Sequence, residues 1–218
     1  MPAPAHPLDP PVAAPVRGTL LLASVIVRRA GQAALLAVGS LGLSAASLAL
    51  YFGGAGEIFG PINDALVAAT FVLLAPAVLA VQQLDRGIAG RWLDVVSIAA
   101  LTGIGIAALG QLLLIAGVLP LTGSFVTLGI GALLVVAWTG GLAAVALRDR
   151  VLSRSVGWWA LALIAATGAT AVGAPVAGLG TAALSVVFGI PLLVTTVGLL
   201  VALGRDLLRR AWQWEEAG

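Results

Sequence analysis

The sequence predicts an all-α protein, a polytopic bundle of six transmembrane helices with both termini on the cytoplasmic side. Of its 218 residues, 61% are hydrophobic and only 9% are charged, whereas soluble domains carry roughly a quarter charged residues. The apolar residues form six long continuous runs, and the arginines lie only beside alternate ends of those runs. These observations exclude a water-soluble fold.

The six runs have the length that a transmembrane helix needs, which is about 20 apolar residues for a hydrocarbon core of roughly 30 Å. A β-barrel strand would instead alternate apolar and polar residues over about ten positions. A helix is favoured because it satisfies its own backbone hydrogen bonds in lipid. The predicted spans are residues 31–52, 61–82, 94–118, 124–147, 156–174 and 179–203.

Three segments flank or lead into these spans. Residues 1–17 are proline-rich and predict a disordered cytoplasmic tail. Within the membrane domain, residues 18–204, the stretch 18–29 is too short to span and predicts an interfacial helix before the first span. Residues 205–218 predict a basic amphipathic tail that lies on the inner leaflet.

Orientation follows from the arginines, which are the only basic residues apart from His6. All 11 fall before span 1, between spans 2 and 3, between spans 4 and 5, or after span 6. The positive-inside rule therefore puts both termini in the cytoplasm. Arginine in place of lysine, with abundant Ala and Gly, is typical of a GC-rich bacterial genome, so we expect a bacterial cytoplasmic (inner) membrane.

The composition also excludes several chemistries. There is no cysteine for a disulfide or thiolate and no lysine for a Schiff base. The single histidine, His6, lies in the proline-rich tail, and no carboxylates are paired at depth. We therefore expect no catalytic residues, no cofactor and no metal site. The net charge of only +2 gives no reason to expect nucleic acid as a partner.

The candidate solute or cation site lies towards the predicted outer side. Glu57 lies in the glycine-rich loop 53–61, Asn63 and Asp64 begin span 2, and Gln111 lies within span 3 near its outer end. No arginine is present on that side to neutralise the two carboxylates, so a cation entry site is one interpretation. The other, which we favour, is that Asp64 complements the helix dipole, Glu57 is solvated, and Gln111 faces either a neighbouring helix or a wet cavity.

Small residues recur on two predicted helix faces, and prolines interrupt two spans. Ser40, Ser44 and Ser47 form one stripe and Gly103, Ala107 and Gly110 another; both are typical of helix packing seams rather than solute paths. Pro76 in span 2 and Pro191 in span 6 predict kinks, the second beside Thr195 and Thr196. Such kinks either serve a gate or are ordinary features of membrane helices, and we favour the second interpretation.

Spans 2, 4 and 6 end in similar charge pairs: Asp85-Arg86, Asp149-Arg150 and Arg205-Asp206. This pattern suggests three tandem helical hairpins about an axis normal to the membrane. The alternative, which we favour, is that each even-numbered span simply ends in charge that stops translocation.

Lipid headgroups are the first expected partners. The predicted contacts, basic or amphipathic residues near the cytoplasmic ends of the first and last spans, are Arg28, Arg29, Arg209, Arg210, Trp212 and Trp214. Other membrane subunits, or further copies of this chain, are also expected.

Two segments carry a family resemblance. LRDRVLSRSVGWWALALIAATG at 147–168 and GRWLDVVSIAALTG at 90–103 each join an arginine-bearing loop to tryptophans and a small-residue span. In this the chain resembles bacterial six-helix integral membrane proteins of unknown function. The resemblance implies the fold and no activity or site residues.

Two function classes remain open. One is a non-enzymatic structural or accessory membrane component, packed shut by its small-residue seams. The other is a small-solute or cation transporter or channel with an acidic outer mouth at Glu57 and Asp64. The direction in which Gln111 points separates them, because a transporter needs polar groups along a hydrated path.

Overall fold

A computed structural model describes residues 17–84, 91–176 and 189–217, with side chains from residue 23 to residue 216 except 85–90 and 174–188. These residues contain six α-helices and no strand. Each helix is long and apolar enough to cross a membrane, so the predicted all-helical fold with six helices of spanning length is confirmed. The helices are α1 Arg17–Phe52, α2 Phe59–Leu84, α3 Arg91–Ile115, α4 Leu121–Leu147, α5 Arg154–Val176 and α6 Ile190–Ala217.

Glycine and proline residues lie in the turns between helices and at helix starts. Between α1 and α2, Gly54 and Gly56 have φ angles of 77° and 141°, a region that residues with a Cβ rarely adopt. Gly117, in the turn after α3, also has a positive φ angle, 71°. Pro61 lies in the first turn of α2 and Pro120 caps α4, positions where a missing N–H breaks no helical hydrogen bond.

Contacts between neighbouring helices show that they run antiparallel. Along α1 and α2, Ser40 contacts Leu66 while the later Ser44 contacts the earlier Asn63. The same inverse order relates α3 to α4, α4 to α5 and α5 to α6. Because α6 also packs against α1, the most extensive interfaces join the six helices into a ring in chain order.

Antiparallel order places all described arginine side chains at one end of the bundle. This arginine end is formed by the first parts of α1, α3 and α5 and the last parts of α2, α4 and α6. The opposite end carries Glu57 and Asp64. The arginines at the arginine end are Arg28, Arg29, Arg91, Arg148, Arg150, Arg154, Arg205, Arg209 and Arg210.

The first and last helices extend beyond their predicted spans. The stretch 18–29 is continuous with span 1 in α1, and Val27 is buried in the core. The predicted tail 205–218 continues α6 as far as Ala217, with Leu207 and Ala211 fully buried. Leu207 and Ala211 belong to the same core cluster as Val27 and Ala30 of α1, so this part of the predicted amphipathic face packs against protein, whereas Trp212 is 61% exposed.

The two interior prolines differ in their settings. Pro76 lies within α2, which continues through it as predicted. Pro191, expected inside span 6, is the second residue of α6. Residues 177–188, which precede it, lie outside the described residues, so the kink predicted beside Thr195 stays a prediction. His6, the tail, the Asp85-Arg86 pair and the predicted start of span 6 at residue 179 lie outside the described residues.

Candidate functional site

Three polar side chains form a chain of hydrogen bonds at the end opposite the arginines. The Ser44 hydroxyl donates to Oδ1 of Asn63 at 2.7 Å, and Nδ2 of Asn63 donates to Oδ1 of Asp64 at 3.3 Å. Neither Asp64 nor Glu57 forms an ion pair with a described residue. Hydrogen bonds from the serine stripe therefore link α1 to α2, and Asp64 lies next to this interface.

Glu57 lies apart from this hydrogen-bonded chain. It is exposed in the turn after α1, and its backbone carbonyl accepts the amide of Gly60 at 3.2 Å. The predicted site at this end thus consists of one solvated carboxylate and one carboxylate partly buried in a helix seam.

Gln111 lies between α3 and α4, only 3% exposed. Its side-chain amide donates to the Ser124 hydroxyl at 3.0 Å. The glycines predicted to form a seam lie beside it: a Cβ added to Gly103 would come within 2.7 Å of the Gly131 carbonyl, and one on Gly110 would collide with Thr127. The predicted glycine seam is confirmed, and Gln111 is part of it.

A cavity of about 210 Å³ lies among five of the six helices, and its walls are almost wholly apolar. Three threonines line it, Thr70, Thr167 and Thr196, and each hydroxyl donates to the carbonyl four residues earlier in its own helix, at 2.7–2.9 Å. The cavity therefore presents methyl groups and offers few polar partners to a hydrated ion.

Asp206 connects the helices at the arginine end and is only 3% exposed. Its carboxylate accepts hydrogen bonds from Arg209, from Nε of Arg210 at 3.1 Å and from the backbone amide of Ser153 at 3.2 Å. The last contact joins α6 to the turn before α5. Asp206 thus has two roles: it is the counter-ion of two arginines and the acceptor that holds this turn.

The arginine-end pocket lies beside this carboxylate, between α5 and α6, with a volume of about 460 Å³. One side is polar and includes Ser153, Ser155, Arg205 and Arg209. The other side is apolar, where the ring of Trp159 lies against the bare backbone of Gly198. Neither this pocket nor the central cavity is lined by Glu57, Asn63, Asp64 or Gln111.

The predicted headgroup contacts fall into paired and unpaired residues. Nη1 of Arg28 bridges to Oε1 of Glu215 at 3.2 Å, linking α1 to α6, while Arg209 and Arg210 pair with Asp206 as described. Arg29 is exposed. Trp212 is 61% exposed, whereas Trp214 packs against the core.

Sequence reasoning missed the burial of Asp206 and the part played by Ser153 and Ser155. One signal was present: arginines three and four residues after an aspartate on a helix are placed to pair with it. The contact from Ser153 had no such signal, because it depends on how α5 and α6 dock.

The described residues thus form an α-helical bundle whose six helices are each long and apolar enough to span a membrane, as in polytopic membrane proteins. Comparison of the chain with protein-family models, curated proteins and solved structures gave no match.

Proposed function

We propose that this protein is a non-enzymatic structural or accessory component of a bacterial cytoplasmic membrane that packs against lipid and against other membrane subunits or copies of itself. The observation that carries the proposal is the burial of Gln111 in the α3/α4 seam. A carrier would need such an amide on a hydrated path. Here it is bonded to Ser124 where glycines bring the two helix backbones together.

The proposal includes an orientation, with both termini and the arginine end in the cytoplasm. Its support is the location of the arginines at one end, since guanidinium groups are retained on the cytoplasmic side during insertion. It also treats the bundle as three tandem hairpins, supported by the ring order of antiparallel neighbours.

Cysteine labelling tests the orientation cleanly, because the chain has no native cysteine. Ala55 lies in the exposed turn after α1 and Glu216 lies at the exposed end of α6, and each is replaced by cysteine in turn. A membrane-impermeant maleimide is expected to label Ala55→Cys in intact spheroplasts, and Glu216→Cys only after lysis. Labelling of Glu216→Cys from outside would overturn the orientation.

The competing function is a cation transporter or channel that uses the acidic end. What favours it is that Glu57 and Asp64 have no described ion-pair partner and lie opposite all described arginines. The apolar central cavity argues against it, because a cation in an apolar medium loses several kcal/mol of hydration, on the order of the penalty for any buried ion.

A flux assay decides between the two functions. The full chain is reconstituted in liposomes, and K⁺ and H⁺ flux is compared between wild type and the double variant Glu57→Gln with Asp64→Asn. The accessory function predicts that neither protein carries flux above protein-free liposomes. Flux in the wild type that the double variant loses would establish the transporter instead.

A further inference from the structure

The arginine-end pocket carries more positive charge than its own carboxylate balances. Arg205 and Arg209 line the pocket together with the single carboxylate of Asp206, and that carboxylate also pairs with Arg210, which lies outside the lining. Arg205 is exposed and forms no ion pair with a described residue. Arg209 contacts Asp206 yet remains 60% exposed. The pocket therefore complements an anion.

Two serines add neutral donors next to these arginines. The hydroxyls of Ser153 and Ser155 lie 3.0 Å apart. Only one hydroxyl proton can lie between the two oxygens, so the other hydroxyl is able to donate to a ligand. Ser155 also lies in the first turn of α5, where the helix dipole favours negative charge. Planar guanidinium groups beside hydroxyl donors match the oxygens of a phosphate.

The rest of the pocket is apolar and continues along α6 into the membrane. A Cβ on Gly198 would collide with the Trp159 ring, so the indole lies directly on the helix backbone and forms a flat wall. From Arg205 to Gly198 the apolar part of the pocket follows α6 for roughly 10 Å at 1.5 Å per residue. That length covers about two thirds of the roughly 15 Å depth of one leaflet's hydrocarbon core.

We propose that the arginine-end pocket binds an anionic phospholipid of the adjoining leaflet, with its phosphate between Arg205 and Ser155 and an acyl chain against Trp159 and Gly198. A free phosphate shares the headgroup chemistry but would leave the apolar wall uncovered, so the lipid is the source that fits the whole pocket. This site goes beyond the structural role proposed above and does not depend on it.

The test uses the full chain in nanodiscs of phosphatidylcholine that contain phosphatidylglycerol with brominated acyl chains as a minor component. Trp92, Trp158, Trp212 and Trp214 are first replaced by phenylalanine in every variant, so that Trp159 and the buried Trp138 are the remaining indoles. Bromine quenches tryptophan fluorescence on contact, and quenching then reports lipid bound near Trp159. Arg205→Gln is expected to weaken phosphatidylglycerol binding about tenfold, as loss of a charge-assisted contact implies. The matched control is Arg91→Gln, which removes an exposed arginine at the same end but outside the pocket. It is expected to weaken binding by less than about twofold.

Each other result overturns the proposal. Equal weakening by the two variants would show general surface electrostatics alone. Equal quenching by brominated phosphatidylcholine would show that charge is not recognised, and displacement by inorganic phosphate would show a soluble anion site. If Arg205→Gln does not fold, Ser155→Ala replaces it: this variant retains every charge and is expected to weaken binding about threefold, and unchanged binding refutes the site.

Discussion

Replacing Asp206 with asparagine tests whether one buried carboxylate holds the arginine end together. The carboxylate has three donors: two guanidinium groups and the backbone amide of Ser153. Asparagine has nearly the same size but a single acceptor oxygen and no charge. Arg209 and Arg210 would lose their counter-ion, and the new amide group would bring donors where only acceptors fit.

The expected loss of stability follows from the exposure of each partner. A hydrogen bond to a charged group contributes about 1.5–3 kcal/mol, and breaking a fully buried pair costs about 3–5 kcal/mol. The side chain of Asp206 is 1% exposed, but those of Arg209 and Arg210 are 60% and 25% exposed. Water can therefore solvate much of what the arginines lose, and we expect a loss of about 2–3 kcal/mol.

The matched control is Asp149→Asn. Oδ1 of Asp149 lies 3.8 Å from Nε of Arg148, whose side chain is 87% exposed. The expected loss of unfolding free energy is therefore below about 0.5 kcal/mol. Both variants are unfolded at equilibrium with SDS in mixed micelles and followed by tryptophan fluorescence. Equal free energies of unfolding for the two variants would refute the conclusion that the buried carboxylate stabilises the docking of α5 and α6.

The same unfolding assay tests the α3/α4 seam. Gly131→Leu is expected to lower the free energy of unfolding by more than about 3 kcal/mol, because even a Cβ there would lie 2.7 Å from the Ala107 Cβ. The control is Gly129→Leu, because a Cβ at Gly129 would have nothing within 4 Å. It is expected to change the free energy of unfolding by less than about 0.5 kcal/mol. A similar loss in both would show that the helices are not in close contact at Gly131. Gln111→Leu is expected to cost about 0.6–1.7 kcal/mol, the range for one interhelical hydrogen bond in a membrane, and to leave liposome flux unchanged. Altered flux at unchanged stability would contradict its place in the seam.

The sequence predicts the number and kind of helices because the lipid requirement acts on each segment separately. A run of about 20 apolar residues can satisfy its backbone in hydrocarbon only as a helix. Length and composition therefore suffice, and α2, α3 and α4 begin and end within a few residues of the predicted spans. This requirement does not determine how far a helix continues outside the hydrocarbon, and α1 and α6 include residues 18–29 and 205–217.

The candidate site was less predictable because side-chain partners depend on helix rotation. The glycine stripe at Gly103 and Gly110 indicated a close interface, but only the register between α3 and α4 places Ser124 opposite Gln111. Asp206 is the clearer case. Its two arginines are encoded locally on α6, whereas its burial requires the turn that carries Ser153, and no local pattern records that approach.

The closure of the ring depends on α6 being held on both flanks. Towards α1, Gly204 leaves room for Leu35 and for the backbone of Gly31, and towards α5, Gly198 receives the Trp159 ring. Lipid gives apolar helices no hydrophobic reason to associate with one another, so close approach and polar contacts must provide the attraction. Both kinds of contact lie on α6 within a few turns of Asp206. A loss at that carboxylate is therefore expected to loosen α6 from α5 first, because the bridge between Arg28 and Glu215 still holds its other flank.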